Sequence, residues 1–464
     1  MPPARYHDRV RVLKGLGIVA AILAIAGGAA LLVAHRYVQS EGFKQAVLLA
    51  ARDALGADVR IRELRVSLLS GAELAGLQVT NPTGFPGDIF TADALVVRYR
   101  LLPLLRRRLE IREVSLDRPV LRLSRRESGD WNYQRIGPPP AAPGAPPAPE
   151  ARTPPPGAVP AGLEVLVPRL SVDGGEVTIL GERDRVLARV KNVALATSLI
   201  WGEPRGGSGA LGGAGTARIE ALEAGRRLVA RDLTAPVRFS ASGVRLAPIT
   251  GELAKGALGG GLRLRFRPGF RFDATLEVKD ADVGTLLQEA GNRAPVIRGQ
   301  LQGQARFEGT GGLPSMTGAG HAEVIRGALT DIPVLATLAT LLQVPALRDL
   351  AFDECRLEFS LANGVLQTPV LRVVSRDIQI TGQGSVLLVP ATLDHQLTLA
   401  VSPELFRRVP RDVRQAFTER ADGFRTVAFR VWGPTDAPRT DLSERLLKGM
   451  AEGFLKRGLQ KLFR

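Results

Sequence analysis

The reactive side chains of this chain are few and scattered. Four histidines, His7, His35, His321 and His395, stand at no metal-ligand spacing. Cys355 is the single cysteine, so no intramolecular disulfide can form. Gly207–Gly212 reads Gly-Ser-Gly-Ala-Leu-Gly and fits the string of a dinucleotide-binding turn. That turn needs a buried strand before it and a helix start after it. Here Trp201-Gly202-Glu203-Pro204 precedes and further glycines follow, which predicts a flexible loop. Phosphate-loop, H-E-x-x-H and G-x-S-x-G strings are absent. Glu176, Asp273 and Glu277 fall on polar positions of alternating runs, where solvation accounts for them. The pattern offers no catalytic residue, no metal site and no cofactor site, and it points away from an enzyme.

What remains is apolar chemistry in alternation. Leu262, Leu264 and Phe266 alternate with Arg263, Arg265 and Arg267. Phe272, Ala274, Leu276 and Val278 alternate with Asp273, Thr275 and Glu277. Leu357, Phe359 and Leu361 repeat the pattern, as do Leu397, Leu399 and Val401, then Val427, Phe429 and Val431. A period of two puts each apolar set on one face of a strand. Turn dipeptides such as Asn363-Gly364 and Pro268-Gly269 separate the runs, which predicts a meandering antiparallel sheet. Residues 163–441 have room for roughly twenty strands of ordinary length. The candidate binding residues are therefore Leu262, Leu264, Phe266, Phe272, Leu276, Val278, Leu357, Phe359, Leu397 and Leu399. Such a face must be covered by a second layer or left as a groove for an apolar ligand, and periodicity leaves both open.

Several elements frame that sheet. Residues 41–56 read as a short amphipathic helix, with Phe43, Val47 and Leu48 on one side, Leu55 extending it and Gly56 as its stop. Gly137–Pro160 holds eleven prolines and too few apolar side chains to order itself, so it reads as a linker. Ile332–Leu347 is apolar enough to plug or cap a sheet edge. Residues 442–464 form an amphipathic helix: Leu442, Leu446, Met450 and Phe454 recur every four residues, beside Lys448, Arg457 and Lys461. A basic stripe of this kind either packs on its own domain or rests on a membrane surface or partner.

Gly15–Ala34 is twenty residues without a charge, long enough to cross a hydrocarbon core of ~30 Å. Arg5, Arg9, Arg11 and Lys14 precede it, which favours a cytoplasmic residue 1–14 segment and an exported body. A cleaved signal peptide is the rival reading, with Ala24-Ile25-Ala26 as its cleavage site. The net charge of +16 is spread along the chain, and only 5% of residues are aromatic, which argues against nucleic acid; arginines on the wet strand faces account for it, and an anionic membrane surface is the alternative reading. The expected organisation is a membrane span at 15–34, an N-terminal region at 35–136, the linker at 137–160, a β-rich region at 161–441 and the terminal helix at 442–464.

Taken in order, a set of fragments resembles the AsmA family of Gram-negative envelope proteins. After the apolar span come Phe43-Lys44, Val59-Arg60-Ile61 and Ser70-Gly71-Ala72-Glu73-Leu74. Leu77-Gln78-Val79-Thr80-Asn81-Pro82 and Gly84-Phe85 follow, then Leu101-Leu102-Pro103-Leu104-Leu105 closed by Arg106. Pro119-Val120-Leu121-Arg122-Leu123 leads to Gly129-Asp130-Trp131-Asn132. Farther on, Asn363-Gly364-Val365-Leu366, Ile380-Thr381-Gly382-Gln383-Gly384, Val401-Ser402-Pro403 and Val431-Trp432-Gly433-Pro434 are similar to the family's C-terminal part. The resemblance implies an elongated, curled antiparallel β-sheet related to chorein-type bridge proteins, whose concave apolar face carries acyl chains. It implies an inner-membrane anchor, a periplasmic body, phospholipid as ligand and other envelope proteins as partners. The implied role is moving phospholipid toward the outer membrane. The alternative is a non-enzymatic scaffold for outer-membrane assembly that carries no lipid.

Overall fold

Alternating apolar and polar residues make this chain mainly β. The computed structural model describes residues 40–67, 71–100, 109–136, 165–202, 210–224, 227–266, 270–289, 297–310, 315–330, 332, 335–336, 339–340, 343–435, 437–442 and 444–445. The expected span at 15–34, the linker at 137–160 and nearly all of the terminal helix, including Leu446, Lys448, Met450, Phe454 and Arg457, lie outside these residues. Among the described residues no helix is long and apolar enough to cross a membrane. The chain divides into two compact units, residues 1–213 and 214–464.

The first unit opens with α1 (Glu41–Leu55), which ends before Gly56 in the left-handed region (φ 61°), as its sequence predicts. Leu48, Ala51 and Leu55 lay its apolar side on Val59, Val79 and Ile89. Strands β1 (Val59–Ser67), β2 (Gly71–Thr80), β3 (Asp88–Arg100) and β4 (Leu109–Asp117) pair antiparallel in chain order. The short β5 (Val120–Ser124) pairs with the start of β3. Then β6 (Val165–Leu180) runs parallel to both β4 and β5, with Leu116 opposite Val172 and Leu121 opposite Val177. β7 (Val186–Gly202) returns antiparallel to β6. The sheet is therefore mixed, which corrects the wholly antiparallel expectation. A parallel neighbour needs a connection of a dozen or more residues, and the proline-rich stretch between β5 and β6 has that length.

β8 (Ala210–Ala224), which straddles the 213/214 division, takes up the last residues of the glycine string at 207–212. Ala210-Leu211-Gly212 is strand rather than loop, and no helix follows it, so that string is no dinucleotide turn. A meander then runs through β9 (Arg227–Ser240), β10 (Gly243–Leu253), β11 (Gly256–Arg265) and β12 (Arg271–Asp282). After α2 (Val283–Glu289) come β13 (Ile297–Gly309), β14 (Thr317–Thr330), β15 (Asp349–Ala362) and β16 (Val365–Val374). β17 (Ile378–Leu387) and β18 (Thr392–Val401) follow, then α3 (Pro403–Phe406) and α4 (Arg411–Arg414). The two-residue β19 (Thr418–Glu419), β20 (Arg425–Pro434) and β21 (Arg439–Thr440) close the unit. From β9 to β18 each strand is antiparallel to the next, and β20 pairs with β18. Among the described residues sixteen strands, β6 to β21, stand where about twenty were expected, and β6 and β7 alone run 16 and 17 residues.

The connections of this meander are unequal. At one end they include tight turns such as Asn363-Gly364, whose φ values of 52° and 73° fit a two-residue hairpin of the primed type. At the other end lie the helical insertions of the described residues: α2, those within 332–347, and α3 with α4. Leu335, Ala339, Val344 and Leu347 of the 332–347 segment are buried against Leu350, Phe352, Val373 and Leu399. Val409 and Val413, around α4, join the same core, and Leu286 of α2 packs on a neighbouring core that holds Leu258 and Val278. The core of this unit therefore sits at the helical end of the strands.

Candidate functional site

Strand register decides which apolar residues meet. One row crosses ten strands of the second unit without a break: Leu246, Leu262, Ala274, Phe307, Gly318, Leu361, Leu366, Val386, Leu393 and Gly433 are successive partners. A second row lies nearer the helical insertions, through Leu301, Val324, Cys355, Val373, Ile380, Leu399 and Val427. Period two places both rows on the same apolar face at different depths.

The two depths differ in cover. Leu399 is 0% exposed, and Val324, Val373, Ile380 and Val427 are buried beside it. Toward the tight turns the face opens. Leu276 is 41% exposed, between Gly260 and Ala305 in register, which raise no more than one methyl beside it. Phe266 and Phe270 are 45% and 40% exposed, with ring centroids 6.4 Å apart. Large apolar side chains at this exposure, side by side on one sheet, form a surface suited to an apolar ligand.

The candidate residues thus separate into two groups. Leu262, Leu264, Phe266, Phe272, Leu276, Leu357 and Phe359 are half-buried or exposed. Val278 and Leu399 lie in covered cores, and Leu397 packs against the larger one. Sequence reading missed Phe307, Phe270 and the glycines of β14. Phe307 and Phe359 flank β14 and face Gly318 and Gly320, and their rings stack 6.3 Å apart. A Cβ on Gly320 would stand 2.7 Å from Phe359 Cζ, so these rings need a strand without side chains beneath them. The one trace in the sequence is the glycine content of Thr317-Gly318-Ala319-Gly320, which reads as a weak strand.

One polar pair sits within this face. Thr368, on β16, is buried; its hydroxyl donates to Gly384 O (3.1 Å) and lies 2.7 Å from His395 Nε2. With its one proton spent on Gly384, the hydroxyl accepts from Nε2–H, which fixes the tautomer. Burial holds the His395 imidazole below its ordinary pKa, against the pull of Asp394. On the opposite face, arginines meet carboxylates: Arg265–Asp273 at 2.8 Å, Arg356–Glu358 at 2.7 Å and Arg430–Asp394 at 2.6 Å. Among the described residues no three His, Cys, Asp or Glu side chains stand together as a metal site.

Cys355 reports on the covered depth. Burial pushes its thiol up to about 11, with Glu354 adding to the shift. The usual value of 9.0 is about two units lower, so the thiolate fraction below both values falls about 100-fold. Native protein at pH 8 should react with iodoacetamide about 100-fold more slowly than protein in denaturant. Equal rates would place Cys355 in open solvent.

Residues 10–218 match the model of the AsmA family. Through this region the chain is similar to the AsmA family. No curated protein and no solved structure matches the chain. The stretches at 363–434 that resemble the family's C-terminal part lie outside the matched residues. Within the AsmA region the family-like fragments converge on one buried amide. Asn132 is 0% exposed; its Oδ1 accepts from Ser124 N (3.0 Å), and its Nδ2 donates to Arg122 O and Asn81 Oδ1, both at 2.8 Å. Asn81 Nδ2 in turn donates to Pro86 O at 2.6 Å. Arg126 donates to Gly84 O (2.9 Å) and lies 4.6 Å over the Phe85 ring. Thr80-Asn81-Pro82, Gly84-Phe85 and Gly129-Asp130-Trp131-Asn132 are thus one structural lock, which explains their order in the AsmA region.

Proposed function

We propose that this AsmA-like protein is anchored in the inner membrane, holds phospholipid in the periplasm and hands it on toward the outer membrane. The acyl chains lie on the open depth of the apolar face, over Leu264, Phe272, Leu276, Phe307 and Phe359. The observation that carries this is the exposure of Leu276, Phe266 and Phe270 at 40–45% on the same apolar face whose other end buries Val324, Val373, Ile380, Leu399 and Val427. The family match and the mainly β architecture agree with such a role. The uncharged run at 15–34 supplies the anchor and the basic residues before it the orientation.

A photo-crosslinking amino acid at Leu264 or Leu276 should capture phospholipid in cells. The same probe at Arg263 or Glu277, on the polar face, should not. Equal labelling of both faces, or crosslinks from Leu264 to protein alone, would favour a scaffold that carries no lipid.

A further inference from the structure

The first unit holds a second chemistry, unlike any on the apolar face. A cavity of about 470 Å³ is lined by Arg98, Arg100, Arg112 and Arg169, with Glu113, Ile111 and Pro168. Two bulges bring these side chains to one place. β3 and β4 slip by one residue between Arg98/Glu113 and Tyr99/Ile111, which leaves Arg112 as the extra residue. β6 slips against β7 between Val167 and Leu170, which leaves Pro168-Arg169 out of register. A bulge re-aims the side chain it carries, so basic residues that ordinary alternation would scatter line one cavity.

Among the described side chains, positive charge outweighs negative there. Among the described side chains of the lining Glu113 is the one carboxylate, and it meets Arg98 at 3.6 Å, while Glu110 stands opposite Arg100 in register. Arg100, Arg112 and Arg169 have no hydrogen-bond or ion-pair partner among the described residues. On the polar face of the second unit, by contrast, Arg265, Arg356 and Arg430 are each paired with a carboxylate. Three unpaired guanidiniums around one cavity repel one another, an arrangement that an anion would relieve. Guanidinium forks match phosphate oxygens two at a time, and they are weakly hydrated enough to do so at a protein surface. Ile111 and Pro168 add an apolar wall that a bare phosphate would not use. In sequence, Arg100 leads straight into Leu101-Leu102-Pro103-Leu104-Leu105.

We infer that this cavity binds the phosphate of a phospholipid headgroup, held by Arg100, Arg112 and Arg169 with Arg98 at its rim. The inference rests on the lipid-handling reading above and adds a headgroup site to it, in the AsmA region and apart from the acyl-chain face.

Isothermal titration of the full-length protein in maltoside detergent would test it. The probes are dihexanoyl-phosphatidylglycerol, dihexanoylglycerol, which lacks the phosphate, and inorganic phosphate. The wild type should bind the phosphatidylglycerol and not the dihexanoylglycerol. Arg100→Gln, Arg112→Gln and Arg169→Gln together should weaken that binding by about tenfold or more. Arg263→Gln, Arg356→Gln and Arg430→Gln remove the same charge from the polar face of the second unit and should leave it unchanged. The single reversal Arg169→Glu provides a milder variant should the triple one fold poorly, and it should also weaken binding. Unchanged affinity in both cavity variants would overturn the inference. Inorganic phosphate binding as tightly as the lipid would overturn the headgroup assignment in favour of a free-phosphate site. Crosslinking from Leu264, measured in the same cavity variants, separates the two readings. Lipid capture there with unchanged phosphatidylglycerol affinity sinks the headgroup site alone, and loss of capture in the wild type sinks the lipid reading itself.

Discussion

Leu399→Asp should abolish cooperative folding of the 214–464 unit, whereas Leu276→Asp should fold and lose lipid. Both leucines sit on the apolar face at inward-facing strand positions, and the substitution is the same. Leu399 is 0% exposed and sits among Val373, Ile380, Val401 and Val427. A carboxylate there loses the leucine's packing, about 3–5 kcal/mol, and either stays unsolvated or takes up a proton at further cost. That total is comparable to the whole stability of an ordinary domain, about 5–15 kcal/mol. Leu276 is already 41% exposed and has Gly260 and Ala305 beside it. Aspartate there reaches water, so the cost should be on the order of 1 kcal/mol, or about 2–4 °C in a unit of this size. If acyl chains rest on Leu276, the same charge should cut phospholipid captured from position 264 by about tenfold or more, since an anion within the apolar contact is poorly solvated. Calorimetry with lipid capture on both variants decides it. A large loss of melting temperature in Leu276→Asp would show that the open depth is ordinary core.

That contrast marks the limit of what alternation can tell. Period two gave the apolar sets of β11, β12, β15, β18 and β20, and the register places that of β11 opposite that of β12 and most of that of β18 opposite that of β20. It reports the face of a strand and not the depth along it, so Val278 and Leu399 read like Leu264 and Leu276. Depth depends on what the connections carry. The 332–347 segment announced itself by its apolar content, and its described residues bury themselves in the core. β14 was harder. Thr317-Gly318-Ala319-Gly320 has the composition of a weak strand, and only the rings of Phe307 and Phe359 on its neighbours give those glycines a reason. The proline-rich stretch suggested a divide near residue 150, yet β6 pairs with strands that precede that stretch, and the contacts divide the chain at 213/214. Pairing across so long a connection leaves no local trace. The arginine cavity was illegible for a related reason: it exists because of bulges at Arg112 and at Pro168-Arg169, and a bulge is a relation between two strands.

The buried amide of the AsmA region should be as sensitive as Leu399, by a different mechanism. Asn132 has no solvent exposure, and its side chain satisfies three groups: Ser124 N–H, Arg122 C=O and Asn81 Oδ1. Asn132→Ala removes few apolar contacts but leaves all three without partners. Each unsatisfied buried group costs about 1–3 kcal/mol, and partial relaxation makes the sum less than additive, so about 3–5 kcal/mol is expected. Asn132→Asp keeps the acceptor for Ser124 N–H. It sets a carboxylate against Arg122 C=O and Asn81 Oδ1, so shape conservation should not rescue it. Asn81→Ala should be milder, since it orphans Asn132 Nδ2–H on one side and Pro86 C=O on the other. The double variant Asn81→Ala/Asn132→Ala should cost less than the sum of the two single ones, because each removes a partner the other has already lost. Hydrogen exchange at the Ser124 amide gives a local reading in the intact chain. The amide should be protected in the wild type and in Asn81→Ala, and should exchange freely in Asn132→Ala. Protection of Ser124 that survives Asn132→Ala, with less than about 1 kcal/mol of lost stability, would mean that the strand pairing of β3, β5 and β6 holds this region without the amide lock.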